Sequence, residues 1–127
     1  MGRKRVEVEG MNTRATGELG ERIAAAFLKL KGFEIVDANV RVARREVDLV
    51  ARDGNAIVAV EVKLRWGRRF GAAVEAIDQR KLARIRVALS GIARELGDAG
   101  SPRIDVVTID VDESGERMSV EHYVGVS

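Results

Sequence analysis

Residues Glu46–Arg65 read EVDLVARDGNAIVAVEVKLR, and this stretch decides the fold. Apolar and other residues alternate on both sides of a turn signal, so the spacing predicts one β-hairpin. The turn lies within Asp53-Gly54-Asn55, where Asp-Gly and Gly-Asn both suit a tight connection. Alternation points Val47, Leu49 and Ala51 to one face, together with Val58, Val60, Val62 and Leu64 of the second strand. The other face carries Glu46, Asp48, Glu61, Lys63 and Arg65, with Val50, Ile57 and Ala59 beside them. A loop at Asp53-Gly54 pairs Asp48 with Ala59, whereas one at Gly54-Asn55 pairs Asp48 with Glu61. In either register Asp48, Glu61 and Lys63 share a face, because the pleat repeats every two residues.

The chain around the hairpin has 127 residues, enough for one domain with a real core. Hydrophobic residues at 46% and charged residues at 33% place it in the soluble globular class. No run approaches the ~20 apolar residues of a membrane span, and MGRKRVEVEG has no apolar signal region. Cytoplasm is the expected location. With no cysteine there is neither a disulfide framework nor thiolate chemistry, and one histidine argues against a histidine-rich zinc site. Net charge is only +2 but unevenly spread. Eight Lys/Arg stand against two acids from Lys63 to Arg86, and seven acids against two arginines from Asp98 onward. A basic segment of that kind suits an anionic polymer, although a solvated helix face accounts for it equally well.

Residues 1–12 read as a flexible tail and 13–127 as a single domain. A helix is expected from about Thr16 to Lys31, with Leu19, Ile23, Ala26, Phe27 and Leu30 as its apolar stripe and Gly32 as its stop. Ala24, Ala25 and Leu28 lie off that stripe, so a second face is also apolar, and Glu21 sits near it. A strand follows from Phe33 to about Arg41. After the hairpin, Trp66–Gly71 (WGRRFG) is a basic loop with two aromatics. A long helix is expected from about Ala72 or Asp78 to Leu96, then strands Arg103–Asp110 and Met118–Val124. This order gives an α/β fold, a mixed β-sheet flanked by helices.

The charged end of the hairpin suits phosphodiester hydrolysis. Magnesium prefers oxygen ligands and often takes one or two carboxylates from the protein. Bound metal polarises phosphate and acidifies water, and a neighbouring lysine orients that water or offsets charge. Asp48, Glu61 and Lys63 supply these groups, although cross-strand ion pairs on an exposed face would look the same. Arg65, Arg68, Arg69, Arg80, Lys81 and Arg84 are candidate phosphate contacts, or simply a solvated face. Trp66 and Phe70 suit core packing better than stacking on a base. Arg103 and Asp105 share a strand face and are expected to pair; His122 reads as structural.

An ordered set of motifs carries a resemblance. It comprises Gly20-Glu21 with Ala24 and Leu28, Gly32-Phe33, Asn39, Glu46-Val47-Asp48-Leu49-Val50, and Val60-Glu61-Val62-Lys63 with Arg65. Phe70-Gly71, Lys81 and Arg103-Ile104-Asp105-Val106-Val107 complete it. From about Thr13 to Val124 the chain resembles the small bacterial YraN-like family. That family is similar to archaeal Holliday-junction resolvases within the PD-(D/E)XK nuclease superfamily, which has a restriction-endonuclease-like core. The resemblance implies a metal-dependent endonuclease acting on DNA, with branched DNA as one substrate, Mg2+ or Mn2+ as cofactor, and a homodimer on a two-fold substrate. By position it implies Asp48 and Glu61 as metal ligands, Lys63 as the motif lysine, and Glu21 as a helix glutamate approaching the metal. Glu46 is implied as a carboxylate supporting that first set. Arg45 departs from the glycine usual before that glutamate; it reads as an added phosphate contact, or as the mark of a site that binds without cutting. A non-catalytic nucleic-acid-binding or interaction module on the same fold is the rival reading.

Overall fold

The computed structural model describes residues 13–42, 44–67, 70–97 and 102–126. The proposed tail at 1–12 lies outside them. Eight elements run in order: α1 (Thr13–Leu30), β1 (Glu34–Val42), β2 (Arg45–Asp53), β3 (Ala56–Trp66), α2 (Ala72–Glu75), α3 (Gln79–Glu95), β4 (Arg103–Val111) and β5 (Met118–Tyr123). The five strands lie in one sheet in sequence order. β1, β2 and β3 form an antiparallel meander, β4 runs parallel to β3 after the helical crossover, and β5 returns antiparallel. This is the α/β fold expected, and it is consistent with a restriction-endonuclease-like core.

The hairpin turns at Gly54-Asn55, since Asp53 pairs with Ala56 and Leu49 with Val60. Gly54 takes φ 60°, which glycine reaches without strain. Both faces of the sheet are covered, so the central strands are buried on both sides. Leu49, Ala51, Val58, Val60 and Leu64 pack with Ala24 and Leu28 of α1. Val50, Ile57 and Ala59 pack with Leu82, Ile85 and Leu89 of α3. Val47 departs from the expected alternation and joins the α3 side. The pairing of β1 with β2 shifts register between Ile35 and Asp37, and Asn39 of β1 is left-handed at φ 53°.

Helix α1 buries a different row from its largest side chains. Gly20, Ala24 and Leu28 are buried, whereas Ala26 is exposed and Leu30 is 88% exposed. Small residues let the helix approach β3 closely: a Cβ at Gly20 would lie 3.3 Å from Leu64 Cβ and 3.5 Å from Val62 Cγ1. Leu19, Ile23 and Ala25 then pack at the margins. The helix stops as expected, with Gly32 at φ 94° and the Phe33 N–H donating to Leu28 O at 3.0 Å.

Of the two starts expected for the long helix after the basic loop, Asp78 is the one observed, and Ala72 begins a separate short helix. Ala76 and Ile77 close the last turn of α2, and Asp78 is extended at φ −94°, ψ 111°. Its Oδ1 accepts from Arg80 N at 2.9 Å and caps α3. Strand β4 holds two buried aspartates that anchor the neighbouring segments. Asp110 accepts from Gly71 N at 3.0 Å and Ala73 N at 2.8 Å, fixing the start of α2. Asp105 is wholly buried and accepts from Arg103 Nε, Arg103 Nη2, His122 Nε2 and Gly125 N at 2.8–3.0 Å. Arg103 also reaches Asp53 at 2.9 Å. Lys31 Nζ lies 2.6 Å from His122 Nδ1. A lysine has only protons to give, so Nδ1 accepts and Nε2 carries the proton donated to Asp105. The expected Arg103–Asp105 pair is present, and His122 is held as a structural residue.

Gly20→Val should cost about 1–3 kcal/mol by urea denaturation, because its branched side chain has no room against Leu64. Asp105→Asn should cost about 3 kcal/mol, since it removes the negative charge and replaces one of the two oxygens, each accepting two bonds, with an NH2 that faces donors. Burial opposes the Asp105 charge, but Arg103, Gly125 and His122 outweigh it and hold the carboxyl below the usual range. Its contribution is therefore present above the unfolded-state value and lost as pH falls through the lower folded value. The gap between wild type and Asp105→Asn should close in strong acid.

Candidate functional site

The ladder between β2 and β3 ends at Leu49–Val60. One step further in the same register, Asp48 would face Glu61. Here the strands part, and Asp48 Oδ2 accepts from Val62 N at 2.8 Å in place of a ladder bond. Asp48 and Glu61 are both buried, at 7% and 3% exposure. Glu61 Oε2 pairs with Lys81 Nζ of α3 at 2.9 Å. Its other oxygen, Oε1, is buried with no donor among the described residues. The Asp48 carboxyl lies within hydrogen-bonding reach of Glu61, so a proton on Glu61 gives the two acids a bond that two carboxylates cannot make. Burial first, and then Asp48, pushes the Glu61 carboxyl up to about 8, while Lys81 pulls the other way.

The parted strands open into a cavity of about 600 Å3. It is lined by Glu46, Asp48, Glu61, Lys63 and Lys81 from the hairpin and α3, and by Arg14, Glu18 and Glu21 from α1. Close packing at Gly20 carries the next residue, Glu21, to this wall. Burial and the charges of Asp48, Glu46 and Glu18 raise the Glu21 carboxyl, against a hydrogen bond from Asn39. Burial works against the Lys81 ammonium, but Glu61, Asp48 and Glu46 together raise its pKa.

The structure thus brings together Asp48, Glu61, Lys63, Glu21 and Glu46 from three elements, with Lys81 among them rather than out on a basic face. Arg65, Arg80 and Arg84 are exposed, and Arg84 Nε donates back to Arg80 O at 3.3 Å. They lie outside the cavity wall. Arg68 and Arg69 lie outside the described residues, as does the side chain of Arg45. Trp66 is half-buried beside the α1 core, as packing predicts, and Phe70 is about half exposed. Asn39, Arg14 and Glu18 were not legible as site residues. Asn39 had one signal: asparagine tolerates the left-handed region better than most side chains.

The acids can be tested against a hard cation. Among the described residues no three His, Cys, Asp or Glu side chains form a ready cation cage. Magnesium needs none, since it usually keeps several waters and takes one or two carboxylates. The Asp48–Glu61 pair, with a buried oxygen lacking a donor, fits that demand. Glu21 would act through water.

Fold and cavity together define an α/β protein with an acidic pocket at a strand fork. The sequence profile of an uncharacterised protein family, UPF0102, matches residues 20–109. A UPF0102 protein of Renibacterium salmoninarum is 45% identical over 111 residues, covering 87% of this chain and 93% of its own. One from Symbiobacterium thermophilum is 46% identical over 107 residues, 81% and 88% of the two chains. The chain belongs to UPF0102, the YraN family. Among the described residues no helix is long and apolar enough to cross a membrane.

A raised Glu61 makes metal-free stability fall with pH. The folded state holds the proton more tightly, so the contribution is full below the unfolded value near 4.5 and is lost as pH rises through about 8. In chelator-treated protein, Tm should fall between pH of about 4.5 and about 8, and Glu61→Gln should flatten that fall.

Proposed function

We propose that this protein is a metal-dependent endonuclease that hydrolyses DNA phosphodiester bonds at the cavity between β2 and β3. The observation that carries the reading is the Asp48–Glu61 pair at the strand fork, with Lys63 beside it and Glu21 on the facing wall. Asp48 and Glu61 would hold one Mg2+ or Mn2+, which supplies positive charge to the phosphate and an acidified water. Lys63 sits two residues beyond Glu61 on the same strand and reaches the same cavity. Its role is to orient the attacking water and to offset charge on the phosphate. Glu21 and Glu46 hold water at the rim.

Charge also supports the reading. The cavity wall carries five carboxylates (Glu18, Glu21, Glu46, Asp48, Glu61) and three cations (Arg14, Lys63, Lys81). A phosphate meets net negative charge there unless a divalent cation is present. The exposed Arg65, Arg80 and Arg84 supply contacts to the duplex outside the cavity, where they position it without reading sequence. A four-way junction offers two strands related by a two-fold axis, and a homodimer would bring one cavity to each.

The rival is a module that binds nucleic acid without cutting, and Arg45 in the place of the family's glycine is the residue that favours it. Cleavage of linear, single-stranded and four-way DNA with Mg2+ or Mn2+ separates the two. Asp48→Ala and Lys63→Ala should each lose activity by about two orders of magnitude or more while retaining the fold. Activity unchanged in both variants would remove the assignment. Salt-sensitive binding by a wild type that never cuts would establish the rival.

A further inference from the structure

We infer that Lys81 is an internal counter-ion, occupying the place of a divalent cation on Glu61 and exchanging with it. The inference rests on the metal-site reading of the cavity and adds a device that controls it. Glu61 has one cationic partner among the described residues, Lys81, at 2.9 Å on Oε2. Its side chain is 4% exposed, so without Lys81 an ionised Glu61 would be a buried charge with no cation beside it. The remaining cations of the cavity are placed differently. Arg14 pairs with Glu18 at 3.3 Å on the exposed face of α1. Lys63 forms no ion pair among the described residues, and it shares a strand with Glu61 rather than facing it.

A divalent ion on Glu61 and an ammonium on the same carboxylate cannot stay together cheaply. Two like charges a few ångströms apart repel by several kcal/mol where screening is weak. Lys81 has a way out. It stands in the first turn of α3, which Asp78 caps at Arg80 N and Lys81 N, so its backbone is held while its four-carbon stem turns freely. The side chain is already 38% exposed at the cavity wall. Released from Glu61, the ammonium meets the anion the cavity is open to, a phosphate oxygen of the DNA. Lys81 thus opposes the first cation and, once displaced, favours phosphate. Metal and DNA binding are coupled through one side chain.

The test is a Mn2+ titration at low ionic strength, followed by the electron paramagnetic resonance of free Mn2+ and by calorimetry. Wild type is compared with Lys81→Met, Lys81→Arg and Lys63→Met. Lys81→Met should bind Mn2+ about tenfold more tightly than wild type, and Lys81→Arg should stay near wild type. Lys63→Met reports the general effect of removing a positive charge, and its gain should be below about threefold. In Ca2+, Lys81→Met should bind a four-way DNA junction more weakly than wild type despite its tighter metal. Equal or weaker Mn2+ binding by Lys81→Met, with wild type still binding, would overturn the counter-ion and leave the metal site standing. A gain no larger than that of Lys63→Met would overturn it too. Absence of Mn2+ binding in wild type and in Lys81→Met alike would overturn the metal site and the counter-ion with it.

Discussion

The bond from Val62 N–H to Asp48 Oδ2 is the constraint on which the site depends. A backbone donor at the end of a ladder must find an acceptor, or its burial costs stability. Here the acceptor is a side chain rather than the facing strand. β2 and β3 are therefore free to part after Leu49–Val60 without leaving Val62 unsatisfied. β3 continues past the fork only because β4 pairs with it as far as Trp66–Val111. β2 continues because β1 pairs with it as far as Val42–Arg45. A fork with both arms supported is rigid, which a pair of closely spaced carboxyls requires. Gly20 supplies the second wall. With no Cβ there, α1 lies against Val62 and Leu64 and sets Glu21 opposite Asp48.

Much of this was legible in the hairpin itself. Alternation located the strands, Gly54-Asn55 was one of two two-residue turns consistent with the residues, and either of them kept Asp48, Glu61 and Lys63 on one face. Asp78 was one of two helix starts consistent with the residues, and Arg103 with Asp105 read correctly as a pair. What failed has physical causes. Ranking α1 by its large side chains put the face of Ala24 and Leu28 second and left Gly20 out of it, because close approach is governed by the absence of atoms rather than by hydrophobicity. Val47 joins the α3 side at the point where β2 and β3 have parted, and period counting does not see where a ladder ends. The partner of Lys81 lies twenty residues back across a crossover, so its distance from Glu61 is a property of helix placement.

Among the described residues four carboxylates are buried in one sheet, and the difference between Glu61 and the two aspartates of β4 bears on function. Asp105 and Asp110 are saturated with donors: a bidentate arginine, a histidine and a backbone N–H for one, two backbone N–H groups for the other. They hold the C-terminal strand and the start of α2 in place. Glu61 is as deeply buried, yet one oxygen finds no donor and the other meets a lysine that is partly in solvent. Burial first, and then Asp48, push its carboxyl up to about 8 against the pull of that lysine. A sheet that needed only stability at this position would be better served by a valine, as at Val60 and Val62 on either side. Local cost without local gain is the pattern of a site prepared for something absent from the chain, and groups of strongly perturbed pKa in a cleft are where such sites are found. On the reading proposed above the site takes a divalent cation, which is positive, compact and tolerant of oxygen ligands and suits a pocket whose own cations are outnumbered. A phosphate is the partner that such an ion, once held, would bring in.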